Sequence, residues 1–419
     1  MTDLHKKIEL LAKQAHKSAP TIAKLSSAQK NQVLATLASE LIKRSDSIQK
    51  ENKKDLLKAK HLKLSAAIMD RLTLTPKRIE EMAQGLREVI SLPDPVGQVA
   101  KEWTRPNGLH ISRVRIPLGV IGIIYESRPN VTIDAASLCL KSGNAVVLRG
   151  GSEAIQSNKI LVKIIQTALK QNHVDSNIVQ IVDTTDRKAM EYLVQQTQSI
   201  DLIIPRGGES LMKWIVEHSK IPVIKHDKGV CHIFVDEFAK TESAEKIALN
   251  AKIQRPGVCN AMETLLVHEK VASSFLPRMI KKFREAGVEV RGDEKVLRIV
   301  PGVKRATEKD WPTEYLDLII AIKVVPNLEA AITHIQKYGS NHTEAIVTED
   351  SARAEEFLNR LDSSVVLWNA STRFNDGGQL GLGAEIGIST TKMHAFGPMG
   401  LEELTTTKFV VKGSGQVRQ

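Results

Sequence analysis

The chain has 419 residues, with 59 Lys and Arg against 48 Asp and Glu, and a formal net charge of +11. This length is too great for one compact core, so we expect two domains. Three cysteines without a Cys-x-x-Cys pair argue against a disulfide framework and a metal site, and a polar N-terminus argues against a signal peptide or membrane span. We therefore expect a cytoplasmic protein without a structural metal.

The positive charge suits either nucleic acid or a small phosphorylated, acidic substrate. The lysines are scattered along helical faces, with no basic block and no interleaved aromatic residues. This distribution favours the small-molecule substrate over nucleic acid.

The first ninety residues predict consecutive amphipathic helices, with Leu4, Ile8 and Leu11 on one apolar stripe. After the Pro-rich break at 93–97, residues 109–116 alternate as on a half-exposed strand. From Gly119 apolar strands alternate with helices. Strands are predicted at 120–125, 145–149, 178–182 and 200–204, and helices at 131–141, 152–171 and 187–196. This pattern is typical of a parallel sheet covered on both faces, a nucleotide-binding architecture.

Neither a Gly-x-Gly-x-x-Gly fingerprint nor a Walker lysine motif follows these strands. The glycine pair Gly207 and Gly208 lies between a strand and a helix, where its backbone N–H groups could bind a cofactor phosphate. A second series of strands and helices begins near Ile233. It predicts strands at 316–325, 344–347, 364–369 and 405–411, and helices at 275–286, 328–338 and 352–361.

Cys259 is the candidate nucleophile, because Pro256 and Gly257 mark a turn just ahead of an apolar strand. A thiol on such a turn can meet a substrate. Cys139 and Cys231 lie in apolar stretches and are predicted to be structural.

Four segments resemble the aldehyde dehydrogenase superfamily, in the order and at the spacing of that family along nearly the whole chain. They are residues 125–132, 255–261, 368–374 and 397–402. The resemblance implies an α/β, aldehyde dehydrogenase-like fold with two doubly wound α/β domains and a β oligomerisation arm. It places N-terminal helices and an NADP-binding domain at 1–232, of which residues 101–116 contribute to the arm. A catalytic domain that carries Cys259 follows at 233–385. Residues 386–419 return to the cofactor domain and to the arm.

The resemblance also implies roles for single residues. Cys259 matches the catalytic thiolate, and Asn130 matches an amide that stabilises the oxyanion, although Asn130 alone could be a turn residue. Arg149 stands where many relatives keep a lysine beside the adenosine ribose, which implies NADPH/NADP. Glu314 matches a carboxylate that holds the nicotinamide ribose. Substrate contacts are expected from Arg128, Arg255, Ser371, Thr372 and Arg373, although any of the arginines could instead form a surface ion pair.

Hydrolytic relatives keep a glutamate ahead of a Gly-Gly pair to activate water, and residues 225–230 lack it. The resemblance therefore implies that phosphate, not water, exchanges with the acyl-enzyme. The reaction would be NADPH-dependent reduction of L-glutamyl 5-phosphate to L-glutamate 5-semialdehyde and phosphate, the second step of proline biosynthesis from glutamate.

Two alternatives stay open at this point. One is an acylating dehydrogenase that passes its thioester to coenzyme A, and the other is a nucleic-acid-binding protein that has kept the fold without the activity. The partners expected are a small-molecule substrate and further copies of this chain, as a dimer or larger oligomer, with no nucleic acid and no membrane. A complex with glutamate 5-kinase is attractive because an acyl phosphate is labile.

Overall fold

The structure, a computed structural model, describes residues 2–225 and 228–418. It divides into two compact units. Unit 1 comprises residues 1–225, 382–387 and 399–419, and unit 2 comprises residues 226–381 and 388–398. The functional domains 1–232, 233–385 and 386–419 stay a prediction. Among the described residues, every helix is too short or too polar to cross a membrane.

The N-terminal third of unit 1 is helical, as predicted. Four of its helices begin at a Ser or Thr whose side chain accepts an N–H three residues further on, at Thr2, Ser26, Ser65 and Thr75. The helices of unit 1 are α1 (Asp3–Ala23), α2 (Ser27–Lys43), α3 (Ser45–His61), α4 (Ala66–Leu72), α5 (Pro76–Ser91), α6 (Val131–Lys141), α7 (Ile155–Gln171), α8 (Lys188–Leu193) and α9 (Glu209–His218).

Unit 1 contains a parallel four-stranded sheet whose strands are almost wholly buried. The first two strands of unit 1, β1 (Val99–Thr104) and β2 (His110–Pro117), do not belong to this sheet. The sheet consists of β3 (Val120–Tyr125), β4 (Ala145–Arg149), β5 (Val179–Ile181) and β6 (Leu202–Arg206), in the order β5-β4-β3-β6. Strand order reverses beside β3, so the crevice beyond its carboxyl end is where such sheets bind ligands.

Unit 2 is a second α/β unit. Its helices are α10 (Thr241–Ile253), α11 (Glu269–Glu285), α12 (Glu294–Ile299), α13 (Leu328–Tyr338) and α14 (Ser351–Arg360). Its strands are β7 (Cys231–Val235), β8 (Met262–His268), β9 (Glu289–Gly292), β10 (Lys304–Arg305), β11 (Ile319–Val325), β12 (Thr343–Val347), β13 (Val365–Trp368), β14 (Ile388–Ser389) and β15 (Gly397–Pro398). The first seven of these form one parallel sheet, in the order β10-β9-β11-β8-β7-β12-β13.

The core of unit 2 lies on both faces of this sheet. Neighbouring residues of one strand enter different hydrophobic clusters, as Ile233 and Phe234 do on β7 and Leu265 and Leu266 do on β8. Strands covered on both faces are mostly apolar, which is why the sequence predicts several of them as apolar runs.

Two predicted boundaries in unit 2 differ from the structure by more than one residue. The strand predicted from residue 316 begins at Ile319, because Leu316 has a φ of 53° and cannot continue an extended strand. The helix predicted from residue 275 begins at Glu269, because the His268 side chain caps the helix by accepting the N–H of Lys270.

A separate antiparallel sheet in unit 1 has the order β1-β2-β16. The last strand, β16 (Thr405–Lys412), pairs with β2 over eight residues. The structure therefore confirms that the two segments predicted at 109–116 and 405–411 stand outside the parallel sheets. Their role in oligomerisation stays a prediction.

Candidate active site

Cys259 lies on a turn between the end of α10 at Ile253 and the start of β8 at Met262. The turn is closed by the N–H of Ala261, which donates to the carbonyl of Val258 at 3.1 Å. Cys259 is partly exposed, whereas Cys139 and Cys231 are buried. The thiol that the turn pattern singled out is therefore the one that solvent can reach.

The backbone of Cys259 packs directly against Gly229. A Cβ atom at Gly229 would lie 2.0 Å from the Cys259 carbonyl oxygen and 2.9 Å from its Cα. Any side chain there would displace the cysteine turn, so this approach requires glycine. The thiol of Cys231 donates to the same Cys259 carbonyl oxygen at 3.1 Å. Burial raises the pKa of Cys231 well above its usual range, which keeps this thiol protonated and able to donate.

A polar network supports the turn from the interior of unit 2. Asn260 Nδ2 donates to the backbone oxygen of Asn375 at 2.8 Å, and Asn375 Nδ2 donates to Thr343 Oγ1 at 2.7 Å. His342 Nδ1 lies 2.7 Å from Thr343 Oγ1 and 3.6 Å from Cys231 Sγ. His342 thus makes hydrogen-bonding contacts in the interior of unit 2.

Glu314 lies beside the cysteine turn. Its Oε1 atom accepts the N–H of Gly229 at 2.9 Å, and Gly229 is the residue that packs on Cys259. The structure therefore brings Glu314 and Cys259 together within unit 2, at the edge of the sheet where β7, β8 and β11 begin.

Two predicted substrate arginines lie on the same side of unit 2. Arg255 is exposed, and Arg373 is partly buried with its Nε donating to Gln254 Oε1 at 2.8 Å. Burial lowers the pKa of Arg373, which also interacts electrostatically with Asp376, Arg255 and Cys259. Arg373 therefore lies close enough to Cys259 for its positive charge to favour an anion there.

Ser371 and Thr372 begin the short 3₁₀ turn that carries Arg373. Ser371 Oγ accepts the N–H of Arg373 at 3.3 Å, so Ser371 caps the turn. Thr372 Oγ1 is buried, and within the described part of the chain it has no hydrogen-bond partner. A buried hydroxyl of this kind is available to a water molecule or a substrate.

In unit 1, the loop that follows β3 is held in a strained conformation. Ser127 has a φ of 47°, and both its N–H and its hydroxyl donate to Glu153 Oε1, at 2.6 and 2.7 Å. Non-glycine residues with positive φ are concentrated at functional sites. The loop continues through Arg128, which is partly buried, to Asn130.

Asn130 is the N-cap residue of α6, but its side chain makes no capping bond. Instead Asn130 Nδ2 donates to Asp134 Oδ2 at 2.9 Å. A simple turn asparagine would be expected to accept an N–H of the first helical turn. The Asn130 side chain therefore bonds Asp134 and does not cap α6.

Arg149 ends β4 and is only 8% exposed. Burial lowers its pKa, while the carboxylates of Glu153 and Glu126 act in the opposite direction. Its Nε atom has no hydrogen-bond partner among the described residues. A buried guanidinium with an unused donor, at the carboxyl edge of the sheet, fits a negatively charged group of a nucleotide cofactor.

The Gly207 and Gly208 turn already binds a carboxylate. The N–H of Gly208 donates to Glu126 Oε2 at 2.9 Å, and a Cβ atom at Gly207 would lie 2.5 Å from the same oxygen. A cofactor phosphate could reach this N–H only by displacing Glu126.

Residues 225–230 are the stretch in which hydrolytic relatives keep a water-activating glutamate. Two of them, His226 and Asp227, lie outside the described residues. The sequence of 225–230 contains no glutamate.

Comparison with known proteins identifies the family. The aldehyde dehydrogenase family matches residues 4–310. Gamma-glutamyl phosphate reductase of Geotalea daltonii is 57% identical over 413 residues, which cover 99% of each chain. The enzyme of the same name from Geobacter metallireducens is 55% identical over 412 residues, 98% of this chain and 99% of the relative. The crystal structure of gamma-glutamyl phosphate reductase from Thermotoga maritima aligns with a TM-score of 0.97 and 48% identity, covering 98% of this chain and 100% of the other.

The chain belongs to the aldehyde dehydrogenase family, among its gamma-glutamyl phosphate reductases. It is an oxidoreductase, and this family uses nicotinamide cofactors. The resemblance and the α/β, aldehyde dehydrogenase-like fold predicted from the four segments are confirmed, and the oligomerisation arm stays a prediction.

The sequence did not point to the residues whose contacts support the predicted site residues. They are Asp134, Glu126, Glu153 and Gly229, whose contacts are given above, and the buried pair Lys252 and Glu263, whose side chains lie 2.6 Å apart at the two ends of the Cys259 turn. The i, i+4 spacing of Asn130 and Asp134 on one helix face was a local signal that could have found the first of them. The others meet their partners only in the folded chain, at separations of 11 residues for Lys252 and Glu263, 26 for Ser127 and Glu153, and 82 for Glu126 and Gly208.

Proposed function

We propose that this chain reduces L-glutamyl 5-phosphate with NADPH to L-glutamate 5-semialdehyde and phosphate, the second step of proline biosynthesis from glutamate. The observation that carries the proposal is the partly exposed thiol of Cys259 on its supported turn, in a chain whose full-length relatives carry that enzyme's name. The semialdehyde then cyclises to pyrroline-5-carboxylate without the enzyme.

In the proposed mechanism, the Cys259 thiolate attacks the γ-acyl carbon and the carbon–oxygen bond to phosphate breaks, which leaves a thioester on Cys259. Asn130 and the Cys259 backbone N–H donate to the acyl oxygen as negative charge develops on it. After reduction of the thioester carbon, the thiohemiacetal loses its proton, the carbon–sulfur bond breaks, and the aldehyde leaves with Cys259 again a thiolate.

The cofactor would supply the hydride. In unit 1 the residue that fits it is Arg149, whose buried, unused Nε donor suits the 2′-phosphate that distinguishes NADPH from NADH. In unit 2, Glu314 would hold the nicotinamide ribose, because its carboxylate lies next to the glycine that packs on Cys259. Gly207 and Gly208 would contribute only after Glu126 moves.

Phosphate specificity is proposed to come from three arginines, two in unit 2 and one in unit 1. Arg255 and Arg373 lie near Cys259 in unit 2, and Arg128 follows the strained Ser127 in unit 1. Guanidinium groups bind phosphate and carboxylate through paired donors, so these residues would hold the γ-phosphate or the α-carboxylate. Ser371 and Thr372 would add hydroxyl groups beside Arg373.

The test uses the reverse reaction, NADP⁺ reduction by glutamate 5-semialdehyde. Activity should depend on added inorganic phosphate and should be absent with coenzyme A as the acceptor. Cys259→Ala is the control for background reduction. Equal rates without phosphate would refute the phosphate route, and rates supported only by coenzyme A would assign the acylating reaction instead.

We further propose that the chain works in the cytoplasm as a homo-oligomer, dimer or larger, built through the β1-β2-β16 sheet, and that it receives its labile substrate from glutamate 5-kinase. The domains 1–232, 233–385 and 386–419 are proposed as its cofactor-binding, catalytic and returning segments.

A further inference from the structure

The side chain of Asn130 has one hydrogen bond that determines its orientation. Asn130 Nδ2 donates to Asp134 Oδ2 at 2.9 Å, one helical turn along α6. The backbone carbonyl of Asn130 accepts the N–H groups of Ile133 and Asp134, so the main chain is already fixed by the helix. The side-chain amide of Asn130 could still rotate about its own bonds. The hydrogen bond to Asp134 fixes this rotation.

The chemistry of the partner decides which end of the amide faces outward. An ionised carboxylate can only accept hydrogen bonds, so it selects the NH₂ end of Asn130. One N–H is used by Asp134, and the second N–H of the same nitrogen stays available to a ligand. With a partner that could also donate, the amide could rotate and present its oxygen, which would repel an oxyanion.

Asp134 is held in a mixed environment. Burial raises its pKa to about 6, while the hydrogen bond from Asn130 and the positive charge of Arg206 oppose that rise. Asp134 also lines a cavity of about 80 Å³ together with Ser137, Glu88 and Glu385.

We propose that Asp134 is a positioning residue that orients the Asn130 amide with its N–H toward the reacting acyl oxygen. This inference rests on the proposed function, in which Asn130 is an oxyanion donor. It assigns Asp134 a role in turnover that acts through Asn130 and not through substrate binding.

The test is a double-mutant cycle in the reverse reaction, with Asn130→Ala, Asp134→Ala and the double variant. Asn130→Ala should lower kcat by about a hundredfold or more, with the KM for phosphate and the Kd for NADP⁺ little changed. Asp134→Ala should lower kcat by about tenfold to a hundredfold, the range expected for a misoriented catalytic group. The double variant should be no slower than Asn130→Ala.

Two further variants separate positioning from stability. Asp134→Asn keeps a side-chain oxygen that can accept from Asn130, so it should retain more of kcat than Asp134→Ala does. Asp46→Ala removes an exposed acidic residue from the first turn of α3, and it should match the helix-terminus effect of Asp134→Ala on thermal unfolding without any loss of kcat.

The outcomes distinguish the inference from the function on which it rests. If Asn130→Ala keeps full kcat, the oxyanion role of Asn130 is wrong, and the role of Asp134 falls with it. If Asn130→Ala is slow but Asp134→Ala is not, only the positioning role is wrong. If the losses in the double variant multiply, Asp134 acts independently of Asn130, which also overturns the inference.

Discussion

Lys252 Nζ lies 2.6 Å from Glu263 Oε2, and both side chains are fully buried. Lys252 stands at the end of α10 and Glu263 near the start of β8, so the ion pair joins the two ends of the turn that carries Cys259. The other carboxylate oxygen of Glu263 accepts the N–H of Leu316 at 3.2 Å. One buried carboxylate therefore ties the cysteine turn to the segment that carries Glu314.

Removing one partner of this pair should be strongly destabilising. Lys252→Met or Glu263→Leu leaves the other charge buried, and we expect a loss of about 3 to 5 kcal/mol in the free energy of unfolding, measured with urea. The double variant Lys252→Met/Glu263→Leu leaves no buried charge and should recover most of the loss. Single variants as stable as the parent chain would show that the pair is not buried in solution.

The raised pKa of Glu263 predicts how the free energy of unfolding depends on pH. Burial raises its pKa from 4.5 to about 7, although Lys252 opposes the rise. The folded state therefore holds this proton at a higher pH than the unfolded state does. The resulting contribution to stability is complete below about pH 4.5 and is lost as the pH rises through about 7.

The measurement compares the parent chain with Glu263→Gln, which cannot titrate. The difference in free energy of unfolding, parent minus variant, should fall as the pH rises across this window. A difference that rises over the same range would mean that attraction by Lys252 outweighs burial.

Cys259→Ala should abolish reduction and leave the fold and NADPH binding intact, because the nucleophile is lost with little change in volume. Cys139→Ala and Cys231→Ala should stay active. Cys139 is buried in α6, and Cys231 contributes only a weak S–H donor to the Cys259 carbonyl. Normal turnover by the Cys259 variant would refute its assignment as nucleophile.

The turn of Cys259 could be predicted from the sequence because its signals are local. Pro256 and Gly257 stand in the turn itself, and the apolar strand follows at once. The alternation of apolar strands and helices likewise predicted the parallel sheet of unit 1 and most strands of the sheet of unit 2, because a strand buried on both faces is a largely apolar run. The short strands β9 and β10 were not predicted.

The residues that support the Cys259 turn from the interior of unit 2 could not be predicted in the same way. Gly229 contacts Cys259 because β7 pairs with β8, and Lys252 meets Glu263 because α10 packs back onto β8. In the sequence Lys252 is one of many lysines in amphipathic helices. Its burial is a property of the assembled unit, and no local pattern indicates it.

Arg149→Ala should raise the KM for NADPH far more than the KM for NADH. The reason is the buried guanidinium, whose unused Nε donor is proposed to bind the 2′-phosphate that NADH lacks. Lys163→Ala is a matched control, since it removes an exposed positive charge from α7 in the same unit. Equal effects on the two cofactors would show that Arg149 does not recognise the 2′-phosphate, and the flanking Glu126 and Glu153 would then be the first residues to test.

The sheet formed by β1, β2 and β16 predicts the assembly of the protein. β16 is an edge strand, and its residues Phe409 and Val411 are 64% and 54% exposed. An edge with unpaired backbone groups and exposed apolar side chains is normally covered in soluble proteins. We therefore expect at least a homodimer in which strands of one subunit extend a sheet of its partner.

Deleting residues 405–419 removes β16 and exposes the edge of β2, with which it pairs over eight residues. The shortened chain should be monomeric or insoluble. Deleting only 413–419 keeps every paired residue of β16 and should leave the oligomer intact, which makes it the matched control. Light scattering at micromolar concentration gives the mass of each form. A full-length chain that is monomeric under these conditions would contradict the assembly, because the exposed edge of β16 would then be stable without a partner.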